Sequence, residues 1–227
     1  VIDYSHKNKV DPTLSYMLIL ENKMHEANLE ISREKFINYG KELKLFPGVN
    51  DWFKRIKNFG KEKNVDVEHY IISSGLTNMI EGCSFFNELN RVYACEYIFK
   101  NGRGLWPKLS VNYSNKVQFL YRIHKGAFEV NDQEGVNEKK YFGDHIHVPF
   151  ENMIFLGDGE TDVPTFNVLN KNNGKSICVY EEKNQKSIDI TKKLFSDGRV
   201  HHLVKNDYRE NSEVDVLVKE IIKSKSN

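Results

Sequence analysis

Ile154-Phe155-Leu156-Gly157-Asp158-Gly159-Glu160-Thr161-Asp162 reads as a short buried strand that breaks into an acidic turn. Three consecutive apolar residues suit a strand covered on both faces, as in a parallel sheet. The glycines beside Asp158 let the backbone bend close to whatever is bound. Asp158 and Asp162 then share one tight loop, and converging carboxylates repel unless a cation joins them. Magnesium meets that need with one or two carboxylates, waters and phosphate oxygens. The plain alternative is an ordinary turn in which Asp162 caps the next helix and Asp158 is solvated. A nucleotide-binding glycine loop fits less well, because a third glycine is missing and the turn comes late in the chain.

Outward from this stretch, strand and helix patterns alternate. Toward the C-terminus come a helix over Pro164–Leu169, a strand over Ser176–Tyr180, a helix near Ile188–Leu194, a short strand around Arg199–Val204, and a frayed tail over residues 223–227. Toward the N-terminus, Ser114–Ile123 has helical spacing, 131–140 reads as a surface loop, and Arg91–Phe99 reads as a strand turning at Asn101-Gly102. Val65–Gly75 is β-rich and ends in Ser73-Ser74-Gly75, after which a helix restarts at Leu76. An amphipathic helix carrying Val49, Trp52, Phe53, Ile56 and Phe59 follows Pro47-Gly48 and closes at Gly60. Residues 12–44 read as helical, with a start signal at Ser32. The alternation predicts an α/β fold with a parallel sheet covered on both faces, and ligands at the carboxyl ends of its strands.

Composition narrows the function classes. In 227 residues, 33 Lys+Arg against 32 Asp+Glu leave a net charge of +1, which excludes broad attraction to nucleic acid or to an anionic membrane as the main activity. With 39% hydrophobic residues the chain can build a core, and at roughly 100–200 residues per domain it holds one large domain or one domain with a smaller appendage. No run of about 18 apolar residues predicts a membrane span. Cys83, Cys95 and Cys178 are too scattered for a disulfide framework or a zinc site, and a reducing, cytoplasmic setting is expected. The sequence starts at Val1 without an initiator Met, so a processed or partial chain is expected.

Two further segments carry chemistry-bearing groups. Ser73-Ser74-Gly75 places hydroxyls at a strand terminus beside the N–H groups of a helix start, suited to a phosphoryl oxygen, or else to a simple N-cap. Lys116 stands at another helix start and is either a cation for the same site or a solvated side chain. A hydroxyl, a lysine and an acidic pair, in that order, supply hydrogen bonds, positive charge and a metal site.

That order resembles the haloacid dehalogenase superfamily of phosphohydrolases, in its phosphoserine-phosphatase-like branch. Tyr70-Ile71-Ile72-Ser73-Ser74-Gly75 is similar to the family's second motif, with Ser74 matching because it directly precedes the glycine. Lys116 matches the third motif and Gly157-Asp158-Gly159-Glu160-Thr161-Asp162 the fourth. The likeness extends from about Leu45 to Val204, and Phe46-Pro47-Gly48-Val49 is similar to the family's entry into the helix before the second motif. It implies a three-layer doubly wound parallel sheet over 45–227 and a partial helical cap over 1–44. It further implies magnesium-dependent hydrolysis of a small phosphorylated molecule through an aspartyl-phosphate. Ser74, Lys116 and Asp162 would be catalytic, Ser74, Gly75 and Lys116 would hold the phosphate, and Asp158 would hold the metal. Asp162 would reach the metal through water or orient Lys116.

The first motif, an apolar strand ending in Asp-x-Asp, has no match. Val1-Ile2-Asp3-Tyr4-Ser5 is the nearest stretch, but its strand is too short and Ser5 replaces the second acid. The nucleophile strand, central in the family's sheet, is therefore expected upstream of residue 1 or in a parent chain, and these residues alone are expected to be inactive. A catalytically dead phospho-ligand binder or scaffold on the same fold is the alternative. His124, His145 and His147 alternate near one another without a recognised zinc spacing and read as core or solvated histidines. His201-His202 receives the same reading.

Overall fold

The computed structural model describes residues 1–101, 103–137 and 146–226. In chain order the first helices are α1 (Ile2–Asn8), α2 (Pro12–Glu26), α3 (Arg33–Lys41) and α4 (Val49–Glu62). Strand β1 (Tyr70–Leu76), helix α5 (Thr77–Glu81) and strands β2 (Arg91–Lys100) and β3 (Arg103–Leu109) follow. Then come α6 (Lys116–Lys125), α7 (Gln133–Asn137), β4 (Ile154–Gly157) and α8 (Val163–Lys171). The chain continues with β5 (Lys175–Tyr180), α9 (Gln185–Ser196), β6 (His202–Lys205) and α10 (Glu213–Lys223). The fold is α/β, in two units: Val1–Leu45 with Glu68–Asn112, and Phe46–Val67 with Tyr113–Asn227. No helix among the described residues is long and apolar enough to cross a membrane.

In the first unit, the helical stretch expected over 12–44 is two helices. Asp11 caps α2 by accepting the N–H groups of Thr13 and Leu14, Asn28 turns with φ 52°, and the Ser32 hydroxyl accepts the Lys35 N–H at 3.3 Å to start α3. β1 and β2 are parallel from Tyr70↔Arg91 to Ser73↔Ala94, and β2 and β3 are antiparallel. The expected turn at Asn101 joins β2 to β3, while Gly102 lies outside the described residues. β3 was not expected, because Pro107 interrupts its apolar run; it lies at the sheet's edge, where proline is tolerated. The Tyr97 hydroxyl donates to the Met17 carbonyl at 2.7 Å, and the Gly104 N–H donates to the Ile31 carbonyl at 2.7 Å, which ties the hairpin to the helices. α3 and α5 cross with backbones in contact, since a Cβ on Gly40 would lie 1.9 Å from the Met79 oxygen. These contacts group 68–112 with 1–45, where the sequence placed the division at 44/45.

The second unit holds the parallel sheet β4-β5-β6. Along β5 the side chains alternate. Ile177 and Val179 pack with Trp52 and Ile56 of α4 and with Val214 and Val218 of α10, whereas Cys178 packs with Phe166 of α8 and Leu194 of α9. β4 follows the same rule, Ile154 and Leu156 joining the first cluster and Phe155 the second. α4 runs two residues past Gly60. That glycine serves close packing instead of termination, since its Cβ would meet Val67 Cγ2 at 2.5 Å. The loop expected over 131–140 contains α7, and 138–140 lie outside the described residues.

Candidate functional site

The acidic turn begins where β4 ends. Gly157 pairs with Cys178 of β5, and a short 3-10 turn over Glu160–Asp162 brings Asp162 back beneath the strand end. Glycine is required at 157 by close approach: a Cβ there would lie 2.5 Å from Asp162 Oδ2 and 2.7 Å from the Phe166 ring. Gly159 differs. Its backbone is extended, and nothing lies within 4 Å of where its Cβ would be, so no steric demand of the described chain selects it.

Asp162 does not cap α8 with its side chain. Its Oδ1 accepts the Lys116 ammonium at 2.7 Å and its Oδ2 accepts the Asp158 N–H at 3.0 Å. The lysine and the carboxylate are 7% and 3% exposed, so this is a buried ion pair and Lys116 is not a solvated side chain. α6 opens at Lys116, and the pair therefore pins the start of one helix to the turn before another. Of the two roles open to Asp162, orienting Lys116 and the loop is the one its hydrogen bonds occupy.

Asp158 sits above this pair. The residue is exposed, and its carboxylate draws on a backbone hydrogen bond but on no side-chain partner among the described residues. Partial burial first, and then the negative charge of Asp162, push its acidity weaker than the usual carboxylate, against the pull of Lys116. The same two charges, after burial, push the thiol of Cys178 up to about 12, which keeps it inert under the turn. No group of three or more His, Cys, Asp or Glu among the described residues forms a metal cage. Among the described residues of the turn, Asp158, Glu160 and Thr161 are exposed and carry side-chain oxygens. That donor set suits magnesium, which keeps waters and takes phosphate oxygens, and would not satisfy zinc.

Ser74 and Gly75 belong to the first unit, while Lys116, Asp158 and Asp162 belong to the second. Within the first unit the two serines divide their roles. The Ser73 hydroxyl accepts the Gly75 N–H at 3.0 Å, and that of Ser74 has no partner among the described residues. The pairing of β1 with β2 shifts register between Ser73 and Leu76, which places Ser74 and Gly75 at an irregularity at the end of an edge strand. His124 donates from Nδ1 to the Val148 carbonyl (2.9 Å) and stacks on Phe150, and His147 packs on Phe128, so both are built into packing. His145 lies outside the described residues. No motif or spacing singles out Tyr208, whose phenol is pushed up to about 12 by burial and then by the Asp158 charge.

The chain is 25% identical over 205 residues to an uncharacterized protein of Borreliella burgdorferi, a match covering 81% of this chain and 68% of that one. No family model matches the chain, and no solved structure matches it.

Proposed function

We propose that the chain belongs to a magnesium-dependent phosphohydrolase of the haloacid dehalogenase type, cytoplasmic and acting on a small phosphorylated molecule. The proposal includes that family's three-layer doubly wound core and a helical cap to which residues 1–44 contribute. The observation that carries it is the buried Lys116–Asp162 pair holding the Asp158 N–H, with the Asp158 carboxylate left without a side-chain partner above it. On this reading Asp158 would hold magnesium, which when bound offsets charge on the phosphoryl oxygens. Lys116 would offset the charge shared between nucleophile and phosphate.

The nucleophilic aspartate and its partner acid would arrive on a strand outside these 227 residues. The open strand edges favour such an addition. Among the described residues β1 and β4 each pair on one side only, and their apolar residues Ile71, Ile72, Phe155 and Leu156 are only half-buried. Parallel strands are normally covered on both sides and faces, and an apolar open edge is a template for pairing.

The test is hydrolysis of a chromogenic phosphate ester by the chain extended with its natural upstream residues. Turnover should need Mg²⁺ and should fall at least about a hundredfold in Asp158→Ala. Turnover unchanged by that substitution rejects the reading. The absence of an Asp-x-Asp strand within the 227 residues favours a second one, a phospho-ligand binder without turnover. It predicts phosphate binding by the extended chain with no hydrolysis at any magnesium concentration.

A further inference from the structure

α4 and α10 pack together, and a groove of about 440 Å³ opens along them. Asp51, Arg55, Phe59 and Glu62 recur every three or four residues and line it from one face of α4. Lys219 of α10 and Glu210 of the preceding loop line it from across. That volume lies within the range of small-molecule sites. Its floor is charged and fixed. The fully buried Asp215 accepts Arg55 Nε at 3.0 Å, Lys219 Nζ at 2.7 Å and the Asn211 N–H at 3.0 Å. Arg55 Nη2 also donates to the Tyr208 carbonyl at 2.6 Å, and the Tyr208 N–H donates to the Pro47 carbonyl at 2.8 Å. One carboxylate answers two cations here, which leaves one positive charge over. Among the described residues Arg55 Nη1 makes no hydrogen bond, and the Lys219 ammonium keeps donors beyond the one given to Asp215. Both side chains are 20% exposed, so they are held from below and open to a bound group. Phe59 adds an apolar wall, its ring centre 5.7 Å from the Lys219 ammonium.

The rim has the opposite sign. Asp51, Glu62 and Glu210 are exposed, and their carboxylates make no hydrogen bond or ion pair among the described residues. Lys54 stands with them, so that, with Asp215 counted, four acids face three cations. A simple anion is drawn to the floor and repelled by the rim, and a simple cation meets the reverse. A molecule with a carboxylate for the floor and two cationic groups for the rim matches both signs and offsets the excess negative charge. A basic amino acid is such a molecule, and its aliphatic stem suits the Phe59 wall.

We infer that the groove along α4 and α10 is a binding site for a small amphoteric ligand of the basic amino-acid class. Its carboxylate sits on Arg55 and Lys219, its cationic groups on Glu62 and Glu210, and Asp215 is the positioning residue of the floor. The inference is independent of the Asp158 turn, none of whose residues lines the groove. Calorimetric titration of the chain with L-arginine tests it. Saturable binding is expected, weakening as salt rises from about 0.05 to about 0.5 M, because the rim contacts are screened. Agmatine, which is arginine without its carboxylate, and acetate, which lacks the cationic groups, should each bind at least about tenfold more weakly. Glu62→Gln and Glu210→Gln should each weaken L-arginine binding about two- to fivefold with the melting temperature retained, since neither carboxylate holds a partner in the fold. No saturable binding of L-arginine up to about 10 mM overturns the inference. Agmatine or acetate binding as tightly as L-arginine overturns the amphoteric ligand. L-arginine binding unchanged in Glu62→Gln combined with Glu210→Gln places the ligand elsewhere and overturns the site.

Discussion

A single carboxylate organises the candidate site. Both Asp162 oxygens are engaged, one by Lys116 at 2.7 Å and one by the Asp158 N–H at 3.0 Å, and the side chain is almost sealed from water. Removing one partner of such a pair strands a buried charge, which costs about 3–5 kcal/mol, whereas replacing both with apolar groups is far milder. Lys116→Met should therefore lower unfolding stability in urea by about that amount, and Lys116→Met with Asp162→Leu should recover most of it. A loss below about 1 kcal/mol in the single variant would mean that the pair is solvated. The two glycines of the turn give a sharper contrast. Gly157→Ala forces a methyl against Asp162 and Phe166 and should cost about 1–3 kcal/mol by overpacking. Gly159→Ala meets nothing within 4 Å and should leave the melting curve within about 0.5 kcal/mol of the original. Equal losses at the two positions would refute this account of the turn.

Between elements, the tightest described approach is α3 on α5. A Cβ on Gly82 would fall 2.0 Å from the Ile37 carbonyl oxygen and 2.9 Å from the Gly40 Cα, so the helices can touch only through bare backbone. Gly82→Ala should therefore destabilise the first unit by at least about 1–3 kcal/mol, measured as accelerated hydrogen exchange in α3 and α5 before β4 or β5 is affected. Uniform exchange across both units would contradict the assignment of this contact to one unit. The elements the sequence foretold well share one trait, a pattern complete within a few residues. β4 and β5 are unbroken apolar runs, and α8 starts at a proline after an acid. α10 escaped notice because Val214, Val216 and Val218 alternate like a strand. Its buried set of Val214, Val218, Ile221 and Ile222 emerges only once α4 and β5 lie beneath it. β3 was hidden by Pro107, and Gly60 looked like a stop because Val65 and Val67 return against it only in the fold. The site divides in the same way. Asp158 and Asp162 were legible as a spacing of four, but the partnership of Lys116 with Asp162 spans 46 positions and the Tyr208 loop is held by Pro47 and Arg55 from far along the chain.

For the whole molecule, a net charge of +1 leaves little global repulsion, so its pH dependence follows from individual groups. His201 and His202 lie next to each other. Burial, and then the neighbouring Lys175, lower both below the usual histidine value, and the ring nitrogen Nδ1 of His201 already accepts the Ser176 N–H at 3.3 Å. The unfolded chain therefore binds more protons than the folded one as pH drops through the mid-6 range, and stability declines there. Asp215 acts lower. Burial alone would raise its pKa, but Lys219, the Asn211 N–H and Arg55 outweigh it and hold the carboxyl below the usual range. Its contribution is present above an unfolded value of about 3.9 and is lost as pH falls through its depressed folded value. Asp207, held to about 2 by the exposed Arg209, adds in the same window, reduced by solvent screening. Asp158 has the opposite sign, since its raised value means that protonation relieves the fold. Urea unfolding from pH 8 to pH 2 should thus show two descents, one around pH 6 and one below about pH 4. His201→Gln should flatten the first. Asp215→Asn should lower stability at pH 7 and flatten the second, because the carboxylate that acid would neutralise is already gone. A second descent unchanged in Asp215→Asn would place acid sensitivity in other carboxylates and remove the Asp215–Arg55 pair as the support of the Tyr208 loop.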